Sequence, residues 1–192
     1  MERWLKTRQD RVWSEELASK LEGDLTAQSH LKVLKRTASL IVGNSVLDVG
    51  CGFGELAQYF PLINYVGVDS SEAMLKRAKT KFPTAFFLKG NLYTLDLQKS
   101  DTVVAIDFLH HQPALEPAFS KLFSLAKQRL IVTLWIWGRQ KGQDGPRQYH
   151  GMWGEFLTWH TEKELQRKFK GLTYRVEKSV GGLWSDLYIF DV

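Results

Sequence analysis

The chain of 192 residues has the usual size of one domain, and 44% hydrophobic with 24% charged residues excludes disorder, collagen-like repeats and coiled coils. No stretch approaches the roughly 18 uncharged apolar residues of a membrane-spanning helix, and Met1-Glu2-Arg3-Trp4 lacks the basic-then-apolar layout of a signal peptide. The net charge of +5 is spread evenly along the chain, which reads as solubility rather than as a nucleic-acid footprint.

Trp13, Leu17 and Leu21 recur every four residues and predict an amphipathic helix within 3–25. A second helix is predicted over His30–Val42, stopped by Gly43-Asn44. Ser45–Val49 reads as a short buried strand, followed by a helical Glu55–Phe60 that ends at Pro61. Next come a strand at Asn64–Asp69, a helix at Ser71–Lys81, and strands at Ala85–Lys89 and Thr102–Ile106. Pro113–Lys127 reads as a helix and Arg129–Trp137 as a strongly apolar strand. The stretch 138–160 has no clean period and reads as a long loop or short insertion. Thr161-x-x-Glu164 is a capping box that opens a helix over Thr161–Phe169. The last two strands, Leu172–Ser179 and Leu183–Asp191, meet through Gly181-Gly182 as an antiparallel hairpin. This alternation predicts a single α/β domain built on a mostly parallel sheet.

The strongest local signal is Val46-Leu47-Asp48-Val49-Gly50-Cys51-Gly52-Phe53-Gly54-Glu55. A buried strand enters a turn with glycines at alternate positions and leaves into a helix, so the backbone can bend sharply and approach a ligand. The next strand ends in Asp69, where a carboxylate can bind both hydroxyls of a ribose. A dinucleotide loop, G-x-G-x-x-G, requires glycine where this chain has Glu55, and no phosphate-cradling G-x-x-x-x-G-K-[ST] occurs.

Over about residues 28–137 the chain resembles the class I S-adenosylmethionine-dependent methyltransferases. The resemblance implies a doubly wound seven-stranded sheet ordered 3-2-1-4-5-7-6, S-adenosylmethionine as cofactor and S-adenosylhomocysteine as product. Asp48, Gly50, Cys51, Gly52 and Gly54 match the loop that holds the methionine part of the cofactor. Asp69, Ser70 and Met74 match the ribose-binding segment; Asn91 and Leu92 match the adenine-binding motif, where Asn91 replaces the usual aspartate. Asp107, Phe108, His110 and His111 match the motif after the fourth strand. Alternatives stand beside these roles: Cys51 as a small space-filler, Met74 as core packing and Asp69 as a helix cap. The resemblance divides the chain into an N-terminal lid helix (1–27), a cofactor-binding core (28–137), an acceptor-side loop (138–160) and a C-terminal helix and hairpin (161–192).

Methyl transfer from a sulfonium chiefly requires alignment, and a base only if the acceptor must lose a proton. His110 and His111 are the candidate catalytic residues, since an imidazole titrates near neutrality; either can instead orient the loop. The expected acceptor atom is oxygen or nitrogen; the Asn/Asp-Pro-Pro-aromatic signature of enzymes of this fold that methylate adenine N6 or glutamine amides is replaced by Asp107-Phe108-Leu109-His110, which disfavours those two substrates. All seven tryptophans lie outside residues 14–134, toward the two ends of the chain that carry the lid and the acceptor side. Trp4, Trp137, Arg147, Tyr149 and His150 are therefore the candidate acceptor-binding residues, with Trp135 and Trp137 equally able to serve as core filling. Arg147-Gln148-Tyr149-His150 and the His-His pair are similar to segments of tRNA wobble-uridine carboxymethyl methyltransferases, so tRNA stands as an alternative to a small-molecule acceptor. A catalytically silent partner protein on the same fold is the alternative of another class. No metal ligand set is predicted, no membrane partner is expected, and the single Cys51 allows no intrachain disulfide, which suits a cytoplasmic location. The oligomeric state is not legible in these residues.

Overall fold

The computed structural model describes residues 13–24, 28–60, 64–137, 147–150, 155–180 and 185–192. Helices α1 (Glu15–Asp24) and α2 (Gln28–Ser39) precede strand β1 (Val46–Val49). A short 3-10 turn over Glu55–Tyr59 leads to β2 (Tyr65–Asp69), α3 (Glu72–Lys81), β3 (Phe86–Lys89) and β4 (Ser100–Ala105). A second 3-10 turn, Leu109–His111, is followed by α4 (Leu115–Leu125), β5 (Ala126–Trp135), β6 (Arg147–His150) and β7 (Phe156–Trp159). The chain closes with α5 (Glu162–Lys168), β8 (Tyr174–Glu177) and β9 (Ser185–Asp191).

Seven strands form one sheet in the order β3-β2-β1-β4-β5-β9-β8. Numbering only the strands of this sheet gives 3-2-1-4-5-7-6, the order expected from the sequence. Strands β1 to β5 pair in parallel, whereas β9 runs antiparallel to both β5 and β8. Alternation along each strand divides the core in two. Leu47, Val103, Leu130 and Val132 pack toward α4 and α5, against Phe119, Leu122 and Phe169. Val46, Val104 and Ile131 pack on the opposite face, against Val33 and Leu34 of α2 and Leu75 and Ala78 of α3. Burial from both sides explains why β1 is apolar at three of its four positions.

Two elements differ from the sequence expectations. Glu55–Tyr59 forms a 3-10 turn instead of an α-helix. Gly54 enters it in a left-handed conformation, and Phe60, which precedes Pro61, is already extended at φ −120° and ψ 131°. A residue before proline disfavours the helical region, so the segment stops after little more than a turn. The stretch read as a loop carries an antiparallel ribbon, β6 with β7, in which Tyr149 faces Leu157 and Gln148 faces Thr158. Two bonds dock the ribbon's end on β5: Trp137 N donates to His160 O (2.7 Å) and His160 N donates to Trp135 O (2.9 Å). Gly181-Gly182, Trp4, Trp153 and Trp184 lie outside the described residues, as do the side chains of Arg147, Tyr149 and His150.

Helix α1 does not join the sheet. Its apolar residues Leu17 and Leu21, with Trp13 just before it, face a cavity at the carboxyl ends of β1, β2 and β4. On its other side Arg77 of α3 meets Glu15 at 2.6 Å and Glu22 at 3.3 Å. Among the described residues no helix is long and apolar enough to cross a membrane.

Candidate functional site

The cavity encloses about 360 Å³ and lies where ligands bind in open parallel sheets, beside the turn that follows β1. That turn folds as its glycines require. Gly50, Gly52 and Gly54 have φ of 74°, 52° and 72°. At Gly50 a Cβ would sit 2.6 Å from the Phe108 ring, and at Gly54 2.6 Å from the Phe87 ring, so both glycines serve close packing. At Gly52 a Cβ would find nothing nearer than Met74 Sδ at 3.8 Å. Gly52 thus opens on the cavity, where its missing side chain leaves room for a ligand.

Asp69 ends β2 at the cavity wall. One oxygen accepts from Gly52 N (2.9 Å) and the other from Ser71 N (2.8 Å), which ties the acid to the glycine turn and to the start of α3. Burial pushes its carboxyl up, against the lowering effect of these N–H donors. Ser71 caps α3 by accepting from Met74 N (3.3 Å), and its hydroxyl donates to Trp13 O (2.8 Å), joining α3 to the segment entering α1. Cys51, Ser70, Met74 and Leu92 also line the cavity. Burial pushes the Cys51 thiol well above its ordinary range, which makes it a filler rather than a nucleophile. Asn91 lines the cavity too, but its side-chain oxygen accepts from Tyr93 N (2.9 Å) in a local turn.

Asp48 and Gly54 do not line the cavity. The Asp48 side chain is 4% exposed, on the Val46 face of β1, and accepts from the Tyr65 hydroxyl at 2.6 Å. Burial raises its carboxyl to about 7, outweighing the opposite pull of Tyr65.

Across β1 from Asp69, Asp107 follows β4 in a left-handed conformation at φ 51°. Such backbone is unusual for a non-glycine residue and is held by its surroundings. Asp107 N donates to the Thr133 hydroxyl (2.7 Å), which lies 3.2 Å from Asp107 Oδ1. His30 Nδ1 from α2 lies 3.5 Å from Oδ2. Burial works to raise this carboxyl, but His30, His110 and the Trp135 indole together hold it at about 2.

The two candidate histidines occupy different environments. His110 is 1% exposed and stacks on Trp135 with ring centroids 3.9 Å apart. Its Nδ1 is buried and has no hydrogen-bond partner among the described residues. His111 Nδ1 lies 3.0 Å from Phe156 O, at the start of β7, and its ring meets Trp13 edge-on at 4.9 Å. Burial lowers both imidazoles, His110 well below the ordinary range, so each is neutral at pH 7.

Trp137 does not line the cavity; its ring meets Trp159 edge-on at 6.0 Å. Trp135 lines it instead, with Trp13, His30, Gln112, Glu155 and Leu157. Of these, Trp13 and Trp135 carried a compositional signal in the tryptophan distribution, whereas His30 and Gln112 carried none. Among the described residues no group of three or more His, Cys, Asp or Glu is arranged to hold a metal ion.

This geometry agrees with comparison to known proteins. Residues 46–129 match the methyltransferase domain family. Over those residues the chain is similar to a methyltransferase domain. The magnesium protoporphyrin IX methyltransferase of Synechocystis, solved with bound S-adenosylhomocysteine, superposes on it with a TM-score of 0.64 at 25% identity, over 85% of this chain and 83% of that one. The sterol 24-C-methyltransferase of Saccharomyces cerevisiae is 29% identical over 120 residues, 56% of this chain and 31% of that enzyme. The trans-aconitate 2-methyltransferase of Variovorax paradoxus is 36% identical over 85 residues, 41% of this chain and 33% of that enzyme. The matches to both enzymes thus span about a third of their lengths, and the family match over 46–129 includes the glycine turn, Asp69 and Asp107.

Proposed function

We propose that the chain is an S-adenosylmethionine-dependent methyltransferase that methylates an oxygen or nitrogen atom of a small-molecule acceptor. The observation that carries this reading is the pairing of Gly52, open on the cavity, with Asp69, whose two oxygens are fixed by Gly52 N and Ser71 N. Asp69 would hold the ribose hydroxyls, and Asn91 and Leu92 would border the adenine. When bound, the cofactor supplies a methyl group already activated by its sulfonium, so the protein's share is alignment, exclusion of water and removal of a proton. Helix α1 and the preceding Trp13 serve as the lid, with Trp13, Leu17 and Leu21 over the cavity, and the β6–β7 ribbon forms the acceptor side through Leu157 and the adjoining Glu155.

The acceptor's proton goes to His111. With Nδ1–H donated to the Phe156 carbonyl, the neutral ring keeps its lone pair on Nε2. His110, neutral and stacked on Trp135, offers Nδ1 to a polar atom of the acceptor. Relatives named for sterol and trans-aconitate substrates favour a small acceptor over a macromolecule.

Incubation of the protein with methyl-labelled S-adenosylmethionine and a cell extract, followed by separation by size, tests this reading. Label is expected in the low-molecular-weight fraction, reduced about a hundredfold or more by His111→Ala if that imidazole is the base. Label confined to RNA or protein contradicts the acceptor class.

A further inference from the structure

We propose that Gln112 is the specificity residue of the acceptor site, and that it selects an uncharged, single-ring phenol with a second hydrogen-bonding group beside its hydroxyl. The inference rests on the methyltransferase reading above and assigns the chemical class of its acceptor.

Gln112 ends the 3-10 turn that holds His110 and His111, and it is only 4% exposed on the cavity wall. Its backbone is fully used: N donates to Leu109 O (3.1 Å), and O accepts from the Thr158 hydroxyl (3.0 Å). Its side-chain amide, in contrast, has no hydrogen-bond partner among the described residues. Neither amide atom is sealed in as His110 Nδ1 is, so the amide opens on the cavity. An amide offers two donors and an acceptor oxygen, and a buried one discriminates strongly against ligands that leave it unpaired. Burying a charge against a neutral amide strips its hydration without supplying an opposite charge, so the matching group is uncharged. The imidazole of His110, two residues earlier, is also neutral and stacks on Trp135.

The remaining walls fix the ring. Trp13, Trp135 and Leu157 are partly buried and line the cavity, so their open sides meet what fills it. Rigid aromatic walls favour a flat ring, packed offset or edge-on. At about 360 Å³ the cavity is near the lower end of the ~300–1,000 Å³ that small-molecule ligands occupy. Cofactor and acceptor share that space, which leaves room for a single ring. The wall also carries the carboxyl groups of Asp107 and Glu155, and among the described residues no lysine or arginine lines it, so an anionic acceptor meets like charge. His111 and Gln112 are consecutive, so a hydroxyl at His111 places its neighbouring substituent at Gln112. The phenol oxygen forms the new C–O bond as the methyl–sulfur bond breaks, the electron pair leaving with sulfur and the phenolic proton passing to His111 Nε2.

Three phenols that differ in the group beside the hydroxyl serve as probes: salicylamide, uncharged; salicylate, anionic; and 2-hydroxybenzylamine, cationic at pH 7. Calorimetric titration of the chain saturated with S-adenosylhomocysteine is expected to show salicylamide binding about tenfold or more tightly than either charged probe. Methyl-labelled S-adenosylmethionine is expected to pass label to salicylamide. Gln112→Leu keeps an aliphatic side chain of similar bulk and removes the amide. It is expected to weaken salicylamide about tenfold and to leave S-adenosylhomocysteine within about twofold of wild type. Charged probes that bind as well as salicylamide, salicylamide that fails to bind or to take label, or unchanged salicylamide affinity in Gln112→Leu overturn the proposal. An equal loss of S-adenosylhomocysteine affinity in that variant also overturns it, since Gln112 would then not act on the acceptor alone. A wild-type chain that does not bind S-adenosylhomocysteine contradicts the cofactor reading itself, a failure distinct from that of the acceptor class.

Discussion

Three glycines that look equivalent in the motif differ in what surrounds them. Gly50 sits against the Phe108 ring with φ 74°, so alanine there meets both a clash and a strained backbone. Gly50→Ala is expected to lower stability by about 2 kcal/mol. Gly52→Ala has room and bears only the backbone strain, about 1 kcal/mol, while its methyl group enters the cavity. Denaturant melts and S-adenosylhomocysteine titrations should therefore rank them oppositely, Gly50→Ala worse for stability and Gly52→Ala worse for binding relative to its stability loss. The same ranking in both assays would mean that Gly52 does not face the ligand. At this scale the sequence is most informative where a role depends on neighbours in the chain. Gly50, Gly52 and Asp69 were legible because a turn and a strand end are local. Asp48 was not placed correctly at the wall, since one residue of strand alternation turns its carboxylate away from the cavity and onto Tyr65.

Elements add what spacing alone does not carry. The four-residue repeat Trp13, Leu17, Leu21 predicts a helix, but a repeat does not say whether its stripe faces the core or a cavity; here it faces the cavity. The β6–β7 ribbon is not legible in the sequence because the stretch has no clean period and its strands are only four residues each. Its register is fixed by distant partners instead: His111 Nδ1 on Phe156 O, the Thr158 hydroxyl donating to Gln112 O (3.0 Å), and Gln148 Nε2 donating to Pro113 O (2.8 Å). Helix α1 depends likewise on Ser71, which caps α3 and donates to Trp13 O. Ser71→Ala is expected to cost about 1 kcal/mol, with faster amide exchange over 13–24. Unchanged exchange there would show that the lid is held without that bond.

For the whole molecule, burial of ionisable groups around one cavity makes stability depend on pH in two opposing ways. Asp48 is raised in the folded chain from 3.8 to about 7, so the folded state holds a proton that the unfolded state has released. Its contribution is complete below 3.8 and is lost as the pH rises through about 7. His110 and His111 are lowered from 6.5, so their contribution is present above that value and is lost as the pH falls through it. Asp48→Asn isolates the first effect, because the amide oxygen still accepts from Tyr65 while carrying no charge. The stability of Asp48→Asn relative to wild type should therefore grow between pH 4 and 7 and then level off. A difference that is flat with pH would show that Asp48 does not titrate in that range. The evenly spread +5 charge adds nothing to this picture; the tryptophans do, since Trp13 and Trp135 stand at the cavity and Trp137 and Trp159 support its far side. The central claim is that this cavity holds the cofactor of a methyltransferase, and calorimetric titration with S-adenosylhomocysteine tests it most directly. A saturable one-to-one isotherm is predicted, with affinity reduced about a hundredfold in Asp69→Ala. An absence of binding at millimolar ligand, or full affinity in Asp69→Ala, would contradict it.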